Sequence, residues 1–208
     1  LAIKKVNYSF PVDIYLEKHI PMGGGLGGGS SDAATTLIML NSLWGLNWHR
    51  DRLMELGLKL GADVPVFIYG NNAFAEGVGE KLSAVDLPNA WYLVLMPPVH
   101  VSTAQIFASN ELTRNTIPIT IPPFSIRDGH NDLEPVVCRM YSDVAKCIDW
   151  LKKLDNTTLV AMTGSGASVF AEFETEAQAK EAYLRLPDGV NAVVAKGLTK
   201  HPLKDFYR

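Results

Sequence analysis

Residues Pro21–Ala34 read PMGGGLGGGSSDAA, with six glycines in the seven positions 23–29. Glycine lets the backbone adopt φ > 0 and lets a ligand approach the main chain closely. A helix starting directly after such a loop aims its free N–H groups and positive dipole end at it. That is an anion site, and phosphate is the natural anion. Ser30 and Ser31 add hydroxyls suited to phosphate oxygens or a Mg²⁺ ion. A P-loop would end in Gly-Lys-Ser/Thr, and this loop has no lysine. A dinucleotide fingerprint matches at Gly23, Gly25 and Gly28, almost automatically in so glycine-rich a run. It also requires an acidic residue about 20 residues on, closing a second strand. The segment Leu43-Trp-Gly-Leu-Asn-Trp-His49 supplies none. The pattern Pro-x₃-Gly-Leu-Gly-x-x-Ser-Ser-x-Ala fits well.

Two further segments could do chemistry. Asp63, in Gly61-Ala-Asp-Val-Pro-Val-Phe67, stands alone among apolar neighbours. It reads equally as a carboxylate that accepts or orients a hydroxyl proton and as one that satisfies turn N–H groups. Thr163-Gly-Ser-Gly-Ala167 is a glycine turn between apolar runs. It can support the phosphate loop or simply connect a hairpin. His19, His49, His100, His130 and His201 show no metal-ligand spacing, so no metal site is expected from protein residues alone. Cys138 and Cys147 read as ordinary buried or half-buried thiols.

Several elements are expected to position these residues. Val12, Ile14 and Leu16 alternate with polar neighbours and predict a strand. Ser30 or Ser31 is the expected N-cap of a helix that ends at Gly45. Asp51–Leu60 predicts an amphipathic helix closed by Gly61. Val64–Tyr69 predicts a strand beginning at Pro65. Ala73–Glu76, Lys81–Val85 and Trp91–Met96 predict further strands, with turns at residues 70–72 and 77–79. Pro97-Pro98 marks the expected boundary between domains 1–96 and 97–208. A proline-rich loop over 115–123 precedes a single long helix, Asp132–Leu154. A hairpin Leu159–Met162/Ser168–Phe173, a helix Thr175–Leu186 and a strand Ala192–Lys196 follow. That order predicts an α+β sandwich with helices on one face of an antiparallel sheet.

Composition narrows the class. The 208 residues are 47% hydrophobic and 20% charged, which predicts a folded core. A net charge of −3 gives no footprint for nucleic acid. The longest apolar stretches are too short to span a bilayer. Two cysteines exclude a disulfide scaffold, and the cytoplasm is the expected compartment. The start, LAIKKV, reads as the end of a helix rather than a signal peptide, so an N-terminal part is expected to be missing.

The three motifs together resemble the GHMP kinase superfamily of small-molecule kinases. Pro21–Ala34, Leu60–Phe67 and Ala75–Glu80 (AEGVGE) are most similar to its branch acting on a cytidyl-methylerythritol diphosphate in isoprenoid precursor synthesis. The resemblance implies a two-domain fold: a ribosomal S5 domain 2-like N-terminal domain and a ferredoxin-like α/β sandwich. It implies ATP and Mg²⁺ as cofactors, a small-molecule substrate, and a monomer or homodimer without nucleic-acid or membrane partners. Met22, Gly23, Gly24, Gly25, Leu26, Gly27, Gly28, Gly29, Ser30 and Ser31 would hold the ATP phosphates. Lys18 would meet the adenine, Asp63 would be catalytic and face the substrate, and Thr103 and Phe107 would bind the cytidine. Thr163–Gly166 matches the third family motif. The resemblance also implies a preceding segment with a catalytic lysine and a Tyr-His pair, so little activity is expected of this chain alone. A homoserine- or mevalonate-type kinase and an inactive nucleotide-binding fragment are the alternatives, with an NAD-dependent oxidoreductase more distant.

Overall fold

The computed structural model describes residues 11–116 and 129–206. The helix end expected within residues 1–10 and the latter part of the proline-rich loop lie outside these. The chain forms two compact units. The first contains the segment ending at His19, Gly27–Leu87 and the stretch from Leu198 onward; the second contains Ile20–Leu26 and Pro88–Gly197.

The first unit is built on α1 (Gly28–Leu43), α2 (Arg50–Leu58) and α3 (Val64–Tyr69). Ala34, Leu53, Val64 and Ile68 form its buried cluster. Gly57 lets α2 approach α3, because a Cβ there would lie 2.8 Å from the side chains of Val64 and Ile68. Strands β1 (Ala73–Glu76) and β2 (Lys81–Ala84) pair antiparallel, from Ala73↔Ala84 to Glu76↔Lys81.

Four expectations are corrected here. Val64–Tyr69 is a helix, not a strand. A six-residue apolar run carries no decisive period, and Pro65 suits the first helical turn, where its missing N–H costs nothing. Val12–Glu17 is not a strand, and Ile14, Tyr15 and Leu16 are exposed. Alternation makes a strand only where a partner ladder exists, and no described strand pairs with it. Helix α1 is capped by Gly27 in the left-handed region rather than by either serine. Helix α2 stops at Leu58, which leaves Leu60 exposed.

The second unit holds a four-stranded antiparallel sheet, in the order β4 (Leu159–Met162), β5 (Val169–Phe173), β3 (Trp91–Met96) and β6 (Asn191–Lys196). The strand Trp91–Met96, expected in the first domain, is a central strand of this sheet. Leu93, Leu95, Val169, Ala171 and Phe173 point to one face and are fully buried. Each large apolar side chain there contributes about 2 kcal/mol. Helices α4 (Thr103–Ala108), α5 (Glu134–Met140), α6 (Ser142–Leu151) and α7 (Glu176–Leu184) add Ile106, Val137, Ile148 and Ala179 to the same core. Thr175 and Gln178 close a reciprocal capping box on α7.

The long helix expected over Asp132–Leu154 is broken at Tyr141, whose backbone is extended. Val137, Val144, Ile148 and Leu151 keep helical spacing straight through the break, so periodicity cannot reveal it.

Candidate active site

The glycine loop is held in two different ways along its length. Its first half, Gly23–Leu26, belongs to the second unit. Gly23 and Gly25 have positive φ, +72° and +74°, whereas Gly24 and Leu26 do not. Alternating handedness turns successive N–H groups toward a common concave side, an arrangement that binds anions. The carbonyl of Gly24 accepts the Ser168 N–H at 3.0 Å. The Thr163 hydroxyl donates to the carbonyl of Gly25 at 2.9 Å. A Cβ on Gly25 would sit 2.3 Å from the carbonyl oxygen of Thr163, so only glycine fits. The turn Thr163–Gly166 therefore does both things its sequence allowed. It joins β4 to β5, and it supports the loop.

The same turn reaches α4. The Thr103 and Ser165 hydroxyls are 2.7 Å apart and share a hydrogen bond. Phe107 lies one turn further along α4 and is half exposed. It borders an open cavity of about 560 Å³, shared with Arg114, His130, Asn131, Asp132 and Gly164. The Arg114 guanidinium donates to the carbonyls of Phe107 and Ser109. Met22, by contrast, is almost fully exposed.

The loop's second half opens α1 in the first unit. Gly27 has φ +66° and its carbonyl accepts the Ser31 N–H at 2.9 Å. A Cβ on Gly27 would meet the Phe67 ring of α3 at 3.1 Å, whereas one on Gly29 would meet nothing within 4 Å. Gly28, Ser30 and Ser31 are half-buried in the first turn of α1, which carries no acidic residue and no side-chain cap. No acidic residue within that turn compensates its N-terminal N–H groups and dipole. Lys18, expected beside the adenine, forms an ion pair with Asp32 on α1.

Asp63 is exposed at the N-cap of α3, and its carboxylate caps no helix N–H. The turn-satisfying reading of Asp63 thus finds no cap bond. The AEGVGE turn packs directly beside it: a Cβ on Gly79 would lie 2.6 Å from the carbonyl of Ala62. The backbone N–H groups of Glu80 and Val78 hold the Glu80 carboxyl below the usual carboxylate range. Burial raises the thiols of Cys138 and Cys147, in keeping with inert cysteines. Among the described residues no group of three or more His, Cys, Asp or Glu side chains could hold a metal ion.

Sequence reasoning missed Asn131, Glu134 and Arg114. The spacing Asn-x-x-Glu before an apolar run is a helix-start signal and was legible. The partners of these side chains were not.

Comparison with known proteins decides the family. The GHMP kinases N terminal domain family matches residues 1–71, and the GHMP kinases C terminal family matches residues 125–192. The 4-diphosphocytidyl-2-C-methyl-D-erythritol kinase of Nitrosomonas europaea is 65% identical over 198 residues, covering 95% of this chain and 71% of that protein. The chain belongs to the 4-diphosphocytidyl-2-C-methyl-D-erythritol kinase family.

This kinase family's Nitrosospira multiformis member is 63% identical over 194 residues, or 93% of this chain and 66% of the relative. The chain thus spans about two thirds to seven tenths of these relatives' length. A crystal structure of 4-(cytidine 5'-diphospho)-2C-methyl-D-erythritol kinase matches with a TM-score of 0.73 at 32% identity, over 86% of this chain and 68% of that one. A homoserine kinase from Cytophaga hutchinsonii, at 16% identity and TM-score 0.60, shares the fold. The chain is a small-molecule kinase with the two-domain α+β GHMP fold. No helix among the described residues is long and apolar enough to cross a membrane.

Proposed function

We propose that the chain transfers the γ-phosphoryl group of ATP to the 2-hydroxyl of 4-diphosphocytidyl-2-C-methyl-D-erythritol. The observation that carries this reading is the glycine loop, with its left-handed Gly23 and Gly25 leading into an uncharged first turn of α1. Such a loop offers backbone N–H groups and a helix dipole to phosphate, and no acidic residue stands in that first turn. Family membership selects the acceptor.

The reaction forms an O–P bond from the acceptor oxygen and breaks the bridge between the β- and γ-phosphates. A tertiary alcohol is a crowded, weakly acidic nucleophile, so positioning and charge neutralisation carry most of the barrier reduction. Gly23–Ser31 binds the phosphates. Asp63 accepts or orients the hydroxyl proton, supported by its exposure and its lack of a capping duty. Thr103 and Phe107 bind the cytidine, the ring stacking on the base for about 1–3 kcal/mol. Lys18 and Met22 lie at the nucleotide.

The oxygen donors suit Mg²⁺, which binds through substrate phosphates and few protein ligands. Ser30 and Ser31 would hold it, and it would neutralise phosphate charge. The test is a substrate panel with Mg·ATP. Phosphorylation of the cytidyl substrate in preference to homoserine and mevalonate is expected, at a low rate for this chain alone. Preferential phosphorylation of homoserine or mevalonate would overturn the assignment.

A further inference from the structure

Asn131 and Glu134 lie in the short stretch that opens α5, and neither enters the mechanism above. The Asn131 amide donates to the carbonyls of both Met162, at 3.0 Å, and Gly164, at 2.8 Å. Its oxygen accepts the Leu133 N–H at 3.0 Å. The Glu134 carboxylate accepts the Met162 N–H at 2.9 Å. Two residues of the Asn-Asp-Leu-Glu stretch, Asn131 and Glu134, thus grip the turn on both sides of Thr163. That turn in turn holds the carbonyls of Gly24 and Gly25, through Ser168 and Thr163.

A trans peptide points its N–H opposite to its C=O. Holding the Gly24 and Gly25 carbonyls against the turn therefore aims the N–H groups of Gly25 and Leu26 away from it. Those are the groups an anion on the concave side would meet. A side-chain amide with two donors and one acceptor engaged leaves this geometry little freedom. All the residues in this chain of bonds belong to the second unit.

We propose that Asn131 is a positioning residue for the phosphate loop. It acts through the Met162–Gly164 backbone, with Glu134 in support, and sets the direction of the Gly25 and Leu26 N–H groups. The proposal rests on the reading of Gly23–Ser31 as the phosphate loop.

The experiment measures the dissociation constant of the non-hydrolysable Mg·AMP-PNP by calorimetry, alongside the thermal midpoint. Asn131→Asp keeps the size and the acceptor but turns a carboxylate oxygen toward two carbonyls. It should weaken nucleotide binding about tenfold. Asn131→Ala removes the donors without repulsion and should weaken it about threefold. Leu151→Ala, in the core of the same unit, should lower the midpoint and leave the dissociation constant unchanged. A folded Asn131→Asp with unchanged affinity overturns the proposal. If that variant does not fold, unchanged affinity in Asn131→Ala overturns it instead. If Leu151→Ala weakens binding as much as Asn131→Ala does, the effect is general destabilisation and the proposal also falls. Failure of the unaltered chain to bind Mg·AMP-PNP is a different result, and removes the phosphate-loop reading itself.

Discussion

Gly25 and Gly29 are four residues apart in one loop and are glycine for different reasons. Gly25 has φ +74° and would drive a Cβ to 2.3 Å from the carbonyl of Thr163, a residue far along the chain. Gly29 is in helical backbone, and a Cβ there would meet nothing within 4 Å. The first is glycine because the protein's own backbone occupies the space. The second leaves its space open, where a phosphate would approach. The contrast extends to the two units. Around Gly23–Leu26 the geometry depends on hydrogen bonds between distant segments, from Asn131, Thr163 and Ser168. Around Gly27–Ser31 and Asp63 it depends on local helix starts, over the small cluster of Ala34, Leu53, Val64 and Ile68.

The comparison can be broken first at Asp63. Asp63→Asn should lower turnover about a thousandfold, within the range of lost general-base catalysis. Mg·ATP affinity and the unfolding midpoint should hardly move, because the carboxylate makes no cap bond. Wild-type turnover in steady-state kinetics would remove its role.

The glycines come next. Gly25→Ala should destabilise the protein by about 3 kcal/mol, the sum of left-handed strain and a backbone clash, and abolish nucleotide binding. Gly29→Ala should be neutral or stabilising by about 0.5 kcal/mol through helix propensity, yet still weaken nucleotide binding. Denaturant titration paired with calorimetry separates the two. Equal stability losses would erase the distinction.

Thr163→Val removes only the hydroxyl bond to Gly25. It should cost about 1 kcal/mol and weaken nucleotide binding a few-fold. Unchanged binding would show that the loop holds its shape without this contact.

The smallest effect is alkaline and belongs to the second unit. The Tyr92 hydroxyl donates to the buried Glu172 at 3.0 Å. Burial, then the charge of Glu172, pushes the phenol up to about 12. The unfolded phenol ionises near 10. The native chain therefore keeps a proton that the unfolded chain loses, and this contribution to stability is complete below about pH 10 and lost as pH rises toward 12. Tyr92→Phe should flatten that decline in pH-dependent denaturant midpoints. An identical decline in the variant would place the effect elsewhere.

Much of the glycine loop was legible because its information is local. Six glycines before a helix-forming stretch predict a tight loop opening onto a helix N-terminus whatever surrounds them, and the structure has that loop. The hairpin Leu159–Met162/Val169–Phe173 and the capped helix after Thr175 were legible for the same reason. The errors fell where local pattern is silent. Val64–Tyr69 is too short for a period to choose between helix and strand. The break at Tyr141 lies inside an unbroken helical spacing. The alternation of Val12–Glu17 has no described partner strand.

Sequence by itself determined the groups on offer: a glycine loop before a helix, a solitary carboxylate, and a second glycine turn. Tertiary structure alone decided which groups hold which. It paired the Thr163 turn with Gly24 and Gly25, set Gly79 against Ala62 beside Asp63, and brought Asn131 onto the turn's carbonyls. Backbone carbonyls and N–H groups are the same at every residue, so a sequence cannot mark the ones that distant segments will grip. Only the packed core, by bringing those segments together, selects them.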